Sequence, residues 1–274
     1  MMRLSCLTLS FNGLFRAGKM DVFGFLSKCR ALDLDGADIH MSSLKDFSLP
    51  HLKEVRRRSL DMGLSISCLG VSTEYGRSAE AIPAEIEKAK KAIEVGMVLG
   101  APVLRVFVGS APSEEPAQVK AAFDRGVDAL RRTAEIGAEA GMPVALQNHS
   151  GLTSSGDDML AFYNAVKHPN FTLLLDTGHF TGRLGPRGPK IPGTNYGDYY
   201  RSIEQVAPLT QFVRVKFYEP DGAGKETYIN YERVIDILRG VHYNGFLGIV
   251  YEGTEDEIAA IPRCVRYMRS VMQL

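Results

Sequence analysis

Eight short apolar runs recur along this 274-residue chain, and their spacing restricts the fold more than any other feature. They are LSCLTLS (4–10), LDGADIHM (34–41), LSISCLG (64–70), PVLRVFVG (102–109), PVALQNH (143–149), FTLLLDTG (171–178), QFVRVKF (211–217) and FLGIVYEG (246–253). Each is too short for a helix and is bounded by Gly, Pro or polar residues, which suits a buried strand. Helical periodicity fills several of the gaps. Residues 21–32 put Val22, Phe25, Leu26, Cys29 and Leu32 on one face, and 83–99, opening with Pro83, do so with Ile86, Ala89, Ile93 and Met97. Residues 116–140 repeat the pattern with Val119, Phe123, Val127, Leu130 and Ala134 and stop at Gly141, while 231–239 and 255–272 close the series. Pro262 interrupts the last one and is a place for a kink or a restart. Strands alternating with helices require parallel strands and crossovers. At this length the economical closure is one (β/α)8 barrel, an α/β TIM barrel spanning 1–274 as a single domain. An open doubly wound sheet would favour a Gly-rich phosphate loop after the first strand, and residues 9–14 (LSFNGL) lack GxGxxG.

Charge and composition narrow the partners. Lys plus Arg equal Asp plus Glu, so the chain carries no broad electrostatic footprint for nucleic acid or anionic membranes. The cluster Arg56-Arg57-Arg58 reads as a solvated helix face. No run approaches the roughly 20 apolar residues of a membrane helix, and MMRLSCLTLSF reads as a first strand, since its apolar run is too short for a secretory signal. Cys6, Cys29, Cys68 and Cys264 form no CxxC pair and are expected to be reduced and packed, as in a cytoplasmic protein. The long connection 181–198, with Arg183, Arg187 and Lys190, reads as a lid or binding loop, and 71–80 is a shorter one. The sequence leaves a homo-oligomer open.

Barrels of this kind build their sites at the C-terminal ends of the strands. The polar residues there are His40 and Ser42, Glu74, Arg105, Gln147 and His149, Asp176 and His179, Arg214 and Lys216, and Glu252. Period-two alternation puts Gln147 with His149, and Arg214 with Lys216, on shared faces.

The segments LGAPVLRVFVG (99–109), VALQNHSG (144–151), LLLDTGHF (173–180), VRVKFYEPDG (213–222) and YNGFLGIVYEG (243–253) resemble the xylose isomerase-like barrel superfamily of sugar isomerases and epimerases, which also contains apurinic endonucleases. The resemblance covers nearly the whole chain. It implies a small-molecule carbohydrate or sugar-acid substrate, and usually one divalent metal held by a Glu, an Asp, a His and a Glu from strands five to eight. Matched residue by residue, the Glu becomes Gln147, the Asp is kept as Asp176, and the His becomes Arg214. The last Glu falls on Val250, or on Glu252 if the frame shifts by two. A dication about 5 Å from Arg214 would be repelled by roughly 6–7 kcal/mol at an effective dielectric of 20. The expectation is therefore no metal cofactor, with an Asp176–Arg214 ion pair filling its place.

Asp176, His179, Lys216 and Glu252 are the candidates for proton transfer, and Gln147, His149, Arg214, Arg105, His40 and Glu74 for substrate binding. Each has a plainer reading. His40 is also read as a satisfied structural histidine, Lys216 as a barrel-mouth partner of Glu252, and Arg105 as support for a carboxylate. Tyr199, Tyr200 and Tyr218 read as packing residues before they read as sugar platforms. Three functions follow: a metal-free sugar isomerase, epimerase or lyase; a catalytically inactive sugar-binding or subunit-like barrel; or a Mn-, Zn- or Mg-dependent isomerase using Gln147, Asp176, Glu252 and His179. The endonuclease role is disfavoured, because such enzymes need a histidine-rich zinc cluster and the six histidines here are scattered.

Overall fold

In the computed structural model, which describes residues 1–180 and 196–273 (196–198 in backbone only), the eight apolar runs form one closed parallel barrel. The strands are β1 (Arg3–Leu7), β2 (Gly36–His40), β3 (Ser65–Gly70), β4 (Leu104–Val106), β5 (Val144–Gln147), β6 (Phe171–Asp176), β7 (Thr210–Phe217) and β8 (Phe246–Tyr251). They pair in chain order, and β8 returns to β1. The periodic segments become α2 (Val22–Ala31), α4 (Ile82–Leu99), α5 (Pro116–Glu139), α8 (Tyr231–Gly240) and α9 (Glu257–Gln273), with the short α1 (Asn12–Arg16) before them. Pro262 lies within α9 and does not end it. Helices α3 (Leu49–Asp61), α6 (Gly156–Val166) and α7 (Tyr196–Val206) complete the alternation. The basic loop with Arg183, Arg187 and Lys190 lies outside the described residues.

Two strands stop short of their apolar runs because side chains take over the ladder. After Val106, Phe107 donates its N–H to Thr73 Oγ1 at 2.9 Å, and the same hydroxyl donates to Phe107 O at 2.6 Å. After Leu7 the chain turns into a 3-10 helix, Thr8–Phe11. There Ser10 Oγ donates to Ile249 O and accepts from Tyr251 N, closing the seam with β8. On α3, Arg57 and Arg58 reach Glu54 on the exposed face, in keeping with a solvated cluster. All four cysteines are buried and free. None of the described helices is long and apolar enough to cross a membrane.

The main core fills the space between strands and helices. Inside the barrel a separate apolar floor is made by Cys68, Val103, Ala145, Leu174, Phe212 and Phe246. Two residues further along several of these strands, the same inward face turns polar, with Arg105, Gln147, Asp176 and Arg214. That step carries the candidate site.

Candidate active site at the barrel mouth

The polar layer begins with an ion pair that spans the interior. Arg214 of β7 donates from Nε and Nη2 to Asp38 of β2, at 2.9 and 3.0 Å, and both residues are almost fully buried. Strands β8 and β1 lie between them. Passage is open because Gly248 lacks a side chain: a Cβ there would stand 3.4 Å from Asp38 Oδ2 and 2.9 Å from the Phe212 ring. Burial works against the guanidinium charge, but the paired Asp38 carboxylate outweighs it and raises the Arg214 pKa above its ordinary value.

The expected Asp176–Arg214 ion pair is not formed. The two residues are register partners on adjacent strands, yet Arg214 turns across the barrel to Asp38. Gln147 bridges the gap. Arg214 Nη1 donates to Gln147 Oε1 at 2.8 Å, and Gln147 Nε2 donates to Asp176 Oδ2 at 2.8 Å. A guanidinium can only donate and a carboxylate can only accept, so this amide has one workable orientation.

Asp176 is held from every side. Its Oδ1 accepts from Gly178 N at 2.8 Å. Asn148, pointing away from the interior, accepts from Asp176 N at 2.7 Å and donates to Asp176 O at 2.9 Å, extending the β5–β6 ladder with a side chain. Beyond Asp176 Oδ2 lies the Lys216 ammonium, 3.5 Å away. Its Nζ also meets Glu252 Oε1 at 2.7 Å and His179 Nε2 at 3.2 Å. Lys216 and Glu252, rather than Arg214 and Val250, therefore meet beside Asp176 at the mouth. Arg214 lies a layer deeper, and Val250 is a buried register partner of Lys216. Burial pushes the Glu252 carboxyl up, and the charge and hydrogen bond of Lys216 together hold it below the usual range.

Tilted rings gather at the mouth. His149 lies 4.0 Å from His179 and 4.8 Å from Phe107, centroid to centroid. Burial depresses the His149 pKa below its ordinary value, and the opposing charges of Asp176 and Lys216 act next. Beneath Phe107, Arg105 stacks its guanidinium 4.0 Å from the ring and donates to Val71 O at 2.9 Å. Gly70 makes room for it, since a Cβ there would fall 2.8 Å from Nη2. Burial, and then Arg214, lowers the Arg105 pKa to about 9.

The remaining sequence candidates lie at the margin. His40 Nδ1 accepts from Ser42 N at 3.2 Å and contacts Ser42 Oγ at 2.6 Å, and Nε2 lies 3.2 Å from Ser72 Oγ. Burial, and then Arg105 and Arg214, depresses its pKa to about 2. Glu74 stands apart, half-exposed and facing Arg77 at 3.8 Å. The hydroxyls of Tyr199 and Tyr218 donate to Thr177 O and Gly178 O, so these buried rings brace the turn after β6. Tyr200 packs against Tyr199 with Arg233 over its ring. Sequence reasoning missed Asp38, Asn148 and Phe107. The readable sign of Asp38 was a lone acid two residues before His40 in an otherwise buried strand.

The donor set does not fit a divalent metal. Asp176 and Glu252 already share the Lys216 ammonium, and Gln147 turns its only side-chain oxygen to Arg214. Asp38, Asp176 and Glu252 balance Arg105, Arg214 and Lys216 one for one. A dication about 4 Å from Nζ would be repelled by roughly 8 kcal/mol at an effective dielectric of 20. Among the described residues, no group of three His, Cys, Asp or Glu is arranged to hold a metal ion.

A closed parallel barrel with polar side chains gathered at its C-terminal strand ends is an α/β-barrel whose candidate site lies where such barrels carry theirs. The chain belongs to the xylose isomerase-like TIM barrel family, whose profile matches residues 26–271. Comparison with curated protein sequences returns no match. Among solved structures, it is similar to D-psicose 3-epimerase from Clostridium cellulolyticum H10, with TM-score 0.78, 14% identity and 99% of each chain covered. It is similar to 3-keto-D-glucoside 4-epimerase from E. coli, with TM-score 0.75, 15% identity, and 98% of this chain and 100% of that one covered. A third is the IOLI protein with a bound zinc atom, with TM-score 0.77, 15% identity, and 99% and 98% covered. At these identities the likeness is one of fold.

Proposed function

We propose that this protein is a sugar isomerase or epimerase that moves a proton next to the carbonyl of a carbohydrate or sugar acid, using its own side chains and no metal. The observation that carries this reading is the Asp176–Lys216–Glu252 cluster, two carboxylates on one ammonium at the barrel mouth, with His179 in contact. One carboxylate takes the proton from the carbon beside the carbonyl. The C–H electron pair becomes the new C=C bond, and the carbonyl oxygen gains the charge. Lys216 supplies the nearby positive charge that such an enediolate needs. Returning the proton from the carboxylic acid so formed to the neighbouring carbon, while the enediol hydroxyl proton passes to the other oxygen, gives isomerisation; donation to the opposite face of the same carbon by the Lys216 ammonium, which that carboxylic acid then reprotonates, gives epimerisation. The tilted rings of Phe107, His149 and His179 offer faces for an apolar sugar surface, and Arg105 lies below them for an anionic group. Family membership and a fold shared with ketose and keto-glycoside epimerases support the substrate class.

The test is a panel of ketoses, uronates and 3-keto-glycosides incubated with the protein in D2O. Proton NMR should show deuterium entering beside the carbonyl of at least one compound, with Asp176→Asn and Glu252→Gln each slowing it by about 10²–10⁴-fold. Saturable binding with neither exchange nor conversion across the panel would favour an inactive sugar-binding barrel instead.

A further inference from the structure

We propose that the Lys216 ammonium is the resident cation of this site and fills a latent divalent-metal position. The inference concerns the same site as the proposed function, but its readout needs no substrate. Two carboxylates and an imidazole converge on Nζ, at 2.7 Å from Glu252, 3.2 Å from His179 and 3.5 Å from Asp176. Oxygen and imidazole are donor types that a borderline divalent ion takes, but spaced around Nζ as they are, these groups are not arranged to hold one. Here the point is occupied by a covalently tethered positive charge.

The surroundings are built to deliver that charge. Lys216 is 2% exposed, so its stem reaches the acids through the protein rather than from solvent. The stem runs across Gly178, where a Cβ would stand 2.5 Å from Lys216 Cγ. The Lys216 N–H donates to Thr177 Oγ1 at 3.0 Å, which ties the backbone of β7 to the turn carrying His179. Gln147 completes the exchange of roles. Where a metal would want a fourth oxygen, it presents an amide donor to Asp176, and this neutral group suits an ammonium, which can balance less negative charge than a dication.

The first prediction is that removing the ammonium opens the position to a metal. Wild type, Lys216→Ala, Lys216→His and Gln147→Glu/Lys216→His are incubated with Mn2+ or Zn2+, desalted, and measured by elemental analysis and thermal melting. Wild type should retain no stoichiometric metal and show no metal-dependent rise in Tm. The variants should retain metal with a raised Tm, most strongly the double variant. Stoichiometric metal in wild type that is lost in Asp176→Asn would overturn the proposal, as would folded variants that take up none. Should the variants fail to fold, wild type itself decides. In 15N-lysine-labelled protein at pH 7, Lys216 should give a slowly exchanging ammonium resonance that moves in Glu252→Gln, and a neutral-amine resonance would refute it.

Discussion

Gln147 stands between a group that only donates hydrogen bonds and one that only accepts them. Its amide satisfies both, which a carboxylate in its place could not do, because Asp176 Oδ2 would then face a second acceptor at 2.8 Å. An uncharged residue at the end of a buried strand is therefore a link in a chain of polar contacts running from Asp38 through Arg214, Gln147 and Asp176 to Lys216 and Glu252. The most deeply placed link is the Asp38–Arg214 pair. Removing one member of a buried pair leaves the other charge uncompensated, typically at a cost of about 3–5 kcal/mol. Asp38→Ala should show that loss in urea unfolding, although Asp38 lies two residues before its strand end and was not among the residues singled out by strand-end position. Replacing both members with apolar residues of similar volume should recover much of the loss, which separates an unpaired charge from a simple cavity.

At the level of elements, the DTGHF turn between β6 and the next helix does most of the positioning. Asp176 ends the strand, Thr177 and Gly178 accept from two buried tyrosines, and His179 returns to the ammonium. Gly178 has no positive φ to explain it, so its lack of a side chain matters for space. Gly178→Ala should cost about 1–3 kcal/mol by overpacking against the Lys216 stem. Its turnover, once a substrate is known, should fall further than its melting temperature suggests, because Lys216 must move. Equal losses in a distant packing variant of matched stability would refute that link. The turn was legible as a site in the sequence, from an acid and a histidine flanking a Thr-Gly pair after an apolar strand. What escaped was the partner: Arg214 and Lys216 share a face two residues apart, and alternation alone does not say which turns its charge to Asp176.

Across the whole molecule, the buried imidazoles set a pH dependence. His40 is depressed from 6.5 to about 2 by burial, so the folded state holds it neutral while the unfolded chain protonates it near 6.5. Its contribution is present above that pH and is lost as pH falls. His40 alone should remove about 1 kcal/mol between pH 6.5 and 5.5, and the depressed His149 acts in the same direction. Urea midpoints measured across that range should fall, and His40→Gln should flatten the part due to His40. A midpoint that holds steady down to pH 5 would show that His40 is protonated in the folded protein. Glu252, held below its usual range, adds its own loss only at more acidic pH.

The amino-acid sequence by itself determined the eight strands, the single closed barrel and the set of polar strand ends from which the site is drawn. Apolar runs of strand length separated by amphipathic helices admit few other arrangements. Which of those ends meet was decided by the tertiary structure. In a barrel the strands are tilted and staggered, so residues at matching strand ends need not lie at the same height. That stagger, with the space left by Gly248 and Gly178, sends Arg214 across the interior to Asp38 and leaves Lys216 between Asp176 and Glu252.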